Sequence, residues 1–196
     1  TFPYPTEPRS ARPIDAFTHK GLPRVYDFAV TPDWHQLTLF NNTLPTREEA
    51  IAVPLAGEPV DGALGLDPAA EYYVYDFWND RFAGKFKGTD TLQQTLRPGE
   101  ARMLSIRKVQ KNPQVLSTNR HIMQGYLELA DVKWEGGRLT GKAKVVAGEP
   151  FKIVIALNGH RPADTNNLTI SADGKVAVLA LERSQNENAA WEVVFE

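Results

Sequence analysis

The chain has 196 residues, of which 42% are hydrophobic and 23% charged, with a formal charge of −2 and no cysteine. That balance excludes wholesale disorder and argues against nucleic acid or a membrane surface as partner. It also excludes a disulfide framework, a thiolate metal site and a cysteine nucleophile. No apolar run approaches the ~18 residues of a membrane-spanning helix, and no signal-peptide pattern opens the chain.

Residues 1–23 hold five of the fourteen prolines. Proline removes backbone donors and resists helix, so this stretch is expected to be an extended entry arm. Period-two alternation follows, the mark of strands with one buried face. Tyr26, Phe28 and Val30 are expected to share one face, then His35, Leu37 and Leu39, then Ile51, Val53 and Leu55. Thr31-Pro32-Asp33 and Asn41-Asn42-Thr43-Leu44-Pro45 are turn clusters. The only helical signal, over residues 47–50, is too short to matter.

Residues 72–78 are apolar on both faces, with Tyr73, Tyr75 and Phe77 on one and Tyr72, Val74 and Trp78 on the other. Such a strand is expected to be covered twice, by its own sandwich and by a neighbouring module. Asp76 falls on the second face and needs a buried partner. Residues 101–109 form a further strand with Leu104 and Ile106 on one side.

The second half is more regular. Leu139, Gly141, Ala143 and Val145 alternate with polar residues, and Phe151, Ile153, Ile155 and Leu157 follow. Trp191, Val193 and Phe195 close the chain. Ala172-Asp173-Gly174 suggests a type I′ turn, and Glu135-Gly136-Gly137 a hairpin joining residues 126–134 to 138–146. The apolar phase shifts from Leu127 and Leu129 to Val132 and Trp134, which predicts a β-bulge near Ala130-Asp131. Strands at this spacing, punctuated by turns, predict an all-β protein of two stacked antiparallel, Greek-key-like β-sandwich units. The expected divisions are the arm over 1–23, a first unit over 24–112 and a second over 113–196.

Several constellations carry candidate chemistry. Asp76 and Asp80 are a tempting pair for glycoside hydrolysis, which sets two carboxylates roughly 5–10 Å apart across a sugar. On an extended strand they would lie well over about 10 Å apart, so a structural role for Asp76 is the better reading. Asp76, Asn79 and Asp80 also offer oxygens to calcium, but without the alternating acids and glycine of a dedicated loop. Trp34, Trp78, Trp134 and Trp191 raise sugar binding, because a flat indole stacks on a pyranose ring. Three of the four are in phase with core residues, and Trp34, at a strand start, is the one expected to be exposed. His121 lies among Asn119, Arg120 and Gln124, where a fixed hydrogen-bonding role is the simpler reading. The four histidines show no metal-ligand spacing, and no phosphate-binding glycine loop occurs. No catalytic residue, cofactor or metal is assigned.

The run Glu71-Tyr-Tyr-Val-Tyr-Asp-Phe-Trp-Asn-Asp-Arg81, preceded by Gly65-Leu66, resembles a family pattern in the C-terminal β-sandwich region of α-galactosidase-like (melibiase-type) glycoside hydrolases. Leu39-Phe40-Asn41, Leu96-Arg97-Pro98-Gly99-Glu100-Ala101 and Pro113-Gln114-Val115-Leu116 with Arg120-His121-Ile122 and Gln124-Gly125 extend the likeness in the same order. So does the entry through Ala11-Arg12-Pro13-Ile14-Asp15-Ala16-Phe17 and Leu22-Pro23-Arg24-Val25-Tyr26. The resemblance implies a retaining enzyme whose catalytic aspartates lie on an upstream barrel. A (β/α)₈ barrel needs about 200 residues or more, with eight helices, and this chain cannot supply one. The expectation is therefore a non-catalytic module whose partner is the barrel of the same polypeptide; the alternatives are a carbohydrate-binding module with an exposed-aromatic sugar site and a free-standing interaction domain. Trp34, Trp78, Asp80 and His121 are the candidate sugar or barrel contacts. The start at Thr1 fits a trimmed protein or a fragment, and the resemblance favours a fragment of an exported, periplasmic or secreted enzyme.

Overall fold

The computed structural model describes residues 10–43 and 47–196. The protein is all-β, with antiparallel sheets in sandwich arrangements and, among the described residues, no α-helix. The chain divides into two compact units between Val109 and Gln110.

In the first unit the strands are Arg12–Pro13 (β1), Val25–Thr31 (β2), Trp34–Phe40 (β3), Glu49–Pro54 (β4), Glu71–Asp76 (β5), Arg81–Lys87 (β6), Thr91–Leu96 (β7) and Ala101–Lys108 (β8). Six form one sheet in the order β1-β2-β3-β8-β5-β6, and β4 and β7 form a two-stranded second sheet. The core combines Leu37 and Leu39 of β3, Ile51 and Val53 of β4, Tyr72 and Val74 of β5, Leu92 and Leu96 of β7, and Leu104 and Ile106 of β8. The alternation expected for β3, β4 and β8 holds.

The alternation in β2 does not. Val25 and Asp27 are buried, whereas Tyr26 and Phe28 lie on the opposite, half-buried face. A register shift between Ala29 and Thr31 then brings Val30 inward. Asp27 tolerates this position because His35 Nδ1 lies 2.8 Å from its Oδ1 and Arg12 donates to its Oδ2 at 2.9 Å. A charged residue at a core position reads as exposed in the sequence, and only its two partners show otherwise.

The arm expected over residues 1–23 falls partly on residues 1–9, outside the described residues. Beyond them it joins the sandwich. Arg12 and Pro13 pair with Asp27 and Tyr26, and Ile14 and Asp15 are buried. Asp15 accepts the backbone N–H groups of Arg24 and Val25 at 3.1 and 3.2 Å. The loop over residues 15–24 is thereby closed at its base.

The second unit contains Gln114–Thr118 (β9), Leu129–Glu135 (β10), Arg138–Val145 (β11), Phe151–Ala156 (β12), Leu168–Ile170 (β13), Val176–Leu181 (β14) and Glu187–Val194 (β15). The sheets β13-β14-β12-β9 and β10-β11-β15 enclose one core that includes Leu139, Val145, Phe151, Ile153, Ile155 and Trp191. Gln110–Asn112 belong here rather than with the first unit. The Gln110 N–H donates to Gln114 Oε1 at 2.7 Å, and the Asn112 carbonyl accepts from Asn158 Nδ2 at 2.6 Å.

The bulge is where the apolar phase predicts it, between Ala130 and Lys133, with Asp131 at φ 54°. Gly136 and Gly137, at φ 56° and 76°, form the two-residue hairpin turn between Glu135 and Arg138. The turn after β13 is not type I′. Only Gly174 has positive φ there, and its N–H donates to the Ser171 carbonyl at 2.9 Å.

Candidate functional site

The hairpin turn between β5 and β6 carries a polar network built on Asp76. β5 ends at Asp76 because the chain turns there: the Phe77 N–H donates to the Met103 carbonyl at 2.9 Å and the Asp80 N–H to the Phe77 carbonyl at 3.2 Å. Asp76 is fully buried. Its oxygens accept the Asn79 backbone N–H at 3.3 Å and Asn79 Nδ2 at 2.7 Å, and Arg102 Nε lies 3.6 Å away. The Arg102 guanidinium is held in turn by Gln94 Oε1 at 2.7 Å and by Glu100. The buried partner expected for Asp76 is therefore this arginine together with the asparagine amide.

Asp80 is exposed, with φ 43°, and its Oδ1 accepts the Tyr75 hydroxyl proton at 2.7 Å. Burial, then the Asp80 hydrogen bond and charge, push the Tyr75 hydroxyl well above the usual tyrosine range, so it stays a donor. The two aspartates thus face different partners, one inside the turn and one outside it. Asp76 is closed off from solvent, whereas a hydrolytic pair must present both carboxylates to its substrate. With Asp76 given over to Asn79 and Arg102, the oxygen cluster considered for calcium is not formed either.

Trp78 is 60% exposed. This corrects the expectation that it packs in the core. Strand parity predicts side-chain direction only while the strand lasts, and here the turn begins at Phe77. The Phe77 ring meets the indole edge-on, with centroids 5.0 Å apart at 76°. Trp34, expected to be the exposed tryptophan, is half-buried beneath Arg107, whose guanidinium carbon sits 3.5 Å from the ring centroid. Its pairing with Arg107 puts it at the far end of the sheet from the Trp78 turn, since Asp76 pairs with Leu104. Trp134 stacks with His160 and Phe195, and Trp191 is buried.

Of the three candidate contacts in the first unit, Trp78 and Asp80 share one turn and Trp34 lies apart from it. His121 belongs to the second unit, half-buried, with its Nδ1 accepting the Met123 N–H at 3.1 Å. Next to it, Glu128 is almost fully enclosed and accepts from the Thr118 hydroxyl and from the Gly125 and Leu127 N–H groups, which fixes residues 124–128 structurally.

Sequence reasoning missed a second surface feature. Phe17 is 84% exposed and Leu22 74%, both on the loop closed by Asp15. Val60, in a 3₁₀ turn over Pro59–Asp61, is also exposed. The Thr18 side chain lies against Gly62, which ties the loop to the end of that turn. Isolated apolar residues among Thr18, His19, Lys20 and Gly21 carry no periodicity, so no pattern could have flagged them. No family model matches the chain, and no curated protein matches it.

Proposed function

We propose that this chain is a non-catalytic C-terminal β-sandwich module of an α-galactosidase-like retaining glycoside hydrolase, packing on and supporting a catalytic barrel upstream in the same polypeptide. The observation that carries the reading is the pair Phe17 and Leu22. Both are large apolar side chains, 84% and 74% exposed, on a loop whose base is fixed by a buried aspartate. A monomer gains nothing by pinning bare apolar side chains in water, and two such residues on one fixed loop suit a contact surface. Val60 adds to the same neighbourhood. The separate engagements of Asp76 and Asp80 support a module without hydrolytic chemistry of its own.

The test is the enzyme encoded by the whole reading frame, compared with its Phe17→Ser/Leu22→Ser variant. The isolated chain should unfold at the same denaturant midpoint with or without the two changes, because the side chains are already in water. The two-part enzyme should lose thermal half-life of glycosidase activity in the variant. A reading frame with no barrel upstream, or an unchanged half-life, overturns the reading. One observation favours sugar binding by the chain itself, the exposed indole of Trp78.

A further inference from the structure

We infer that the turn over residues 77–81 is a surface site for a neutral pyranose, with Trp78 as the stacking platform and Asn79, Asp80 and Arg81 as hydrogen-bonding partners of the ring hydroxyls. Three features point there. The first is rigidity. The indole is 60% exposed, yet its backbone is fixed on both sides by hydrogen bonds to Met103 and within the turn, and its ring is fixed by the Phe77 edge. The fully buried Asp76, clamped between Asn79 and Arg102, locks the turn from beneath. A platform held in this way loses little conformational entropy when a ring stacks on it.

The second feature is the company Trp78 keeps. Asn79, Asp80 and Arg81 are all exposed. Tyr75 occupies only Oδ1 of Asp80, so Oδ2 remains an acceptor. Asp76 holds Nδ2 of Asn79, which leaves the amide oxygen as a second acceptor. The Arg81 guanidinium has no ion-pair partner among the described residues and supplies donors. One carboxylate beside one guanidinium gives no net charge to select an ion. Acceptors and donors around a single flat apolar ring suit a ligand with one apolar C–H face and a rim of hydroxyls.

The third feature is separation from the apolar surface proposed for barrel packing. Phe17 and Leu22 flank β1 and β2, whereas Trp78 sits between β5 and β6. The strand order places β2, β3 and β8 between β1 and β5, about 19 Å of sheet at 4.8 Å per strand. A protein-docking patch would be contiguous and apolar, whereas the three exposed residues that follow this indole in the turn are all polar.

The experiment is a ¹H–¹⁵N titration of the whole chain with methyl α-D-galactopyranoside, raffinose and cellobiose. It follows the four indole N–H signals and the backbone amides of residues 79–81. Expected are saturable shifts of the Trp78 indole and these amides with at least one sugar, at a dissociation constant in the millimolar range. Trp78→Ala should abolish them. Trp78→Phe should retain them with several-fold weaker binding, and Asp80→Asn should weaken them about tenfold through the lost charged acceptor. Shifts that fail to saturate by about 50 mM with every sugar, or that persist in Trp78→Ala, overturn the site. Barrel packing is read separately, through Phe17 and Leu22, so either proposal can fail without the other.

Discussion

Asp76 shows how much of the first unit depends on one carboxylate. Replacing it with alanine strips Asn79 of two bonds and leaves the Arg102 guanidinium facing a hole from which water is excluded. Breaking a buried ion pair from one side costs about 3–5 kcal/mol, far more than an exposed pair is worth. Asp76→Ala should therefore lower the urea unfolding free energy by about 3 kcal/mol and loosen the turn that presents Trp78. Gly141 provides a second test. A Cβ there would lie 2.7 Å from Trp191 Cζ2 and 2.8 Å from Cε2, and the indole is packed in the core with nowhere to swing. Gly141→Ala should destabilise by about 1–3 kcal/mol through overpacking, visible in the same unfolding experiment. Both sites show where sequence reading stops. Alternation found Leu139, Gly141, Ala143 and Val145 on one face because β11 is regular throughout. It could not find Asp27 inside, because its burial depends on His35 and Arg12, which are distant in the chain. It misplaced Trp78 because period two has no meaning past the last paired residue.

At the scale of elements, carboxylates secure three of the irregular points in the sheets. At the β10 bulge, the hydrogen bond from Lys142 and then its charge hold the Asp131 carboxyl below the usual range. After β13, the Ser171 hydroxyl, then the Lys175 backbone and ammonium groups, do the same for Asp173. At the turn into β8, burial works to raise the Glu100 carboxyl. The Arg97 N–H and the Arg102 guanidinium outweigh it, and the net direction is down. A folded-state value below the unfolded one means that the unfolded chain takes up the proton first. The contribution is fully present above the ordinary values of 3.8 and 4.5, and is lost as pH falls through the depressed ones. The urea midpoint should therefore be flat from neutrality to about pH 5 and fall below it. Lys142→Met should flatten part of that fall. The bulge was legible beforehand because it shifts the apolar phase of β10, and the Gly136-Gly137 turn because two residues at positive φ demand glycine. The turn after β13 was misread because Asp-Gly suits more than one loop length. Gly137→Ala should cost about 1 kcal/mol, since the residue sits at φ 76° and an added Cβ would meet the Phe195 carbonyl at 3.3 Å.

On the scale of the whole molecule, the apolar side chains divide into two sets with no member in common. One is built on Leu37, Val74 and Leu104, the other on Phe151, Ile155 and Trp191. Each set is enclosed by its own pair of sheets, and the division falls between Val109 and Gln110. Composition and strand spacing were enough to expect two sandwich units, but the junction itself was not legible to the residue. Gln110 and Asn112 look like loop until Gln114 and Asn158 are seen to hold them. A cavity weakens the core that surrounds it before it reaches anything else, because transfer and packing losses act on touching atoms. Ile155→Ala and Leu104→Ala each empty a fully buried site and should each cost about 2–5 kcal/mol. The two should differ in where the loss is felt. In Ile155→Ala, amide exchange should quicken through β9, β11, β12, β14 and β15, with β3, β5 and β8 keeping their protection. Leu104→Ala should give the reverse pattern. Exchange that rises equally in all strands for either variant would mean that the two cores open as one cooperative body. In that case the two units must be treated, in stability, as a single one.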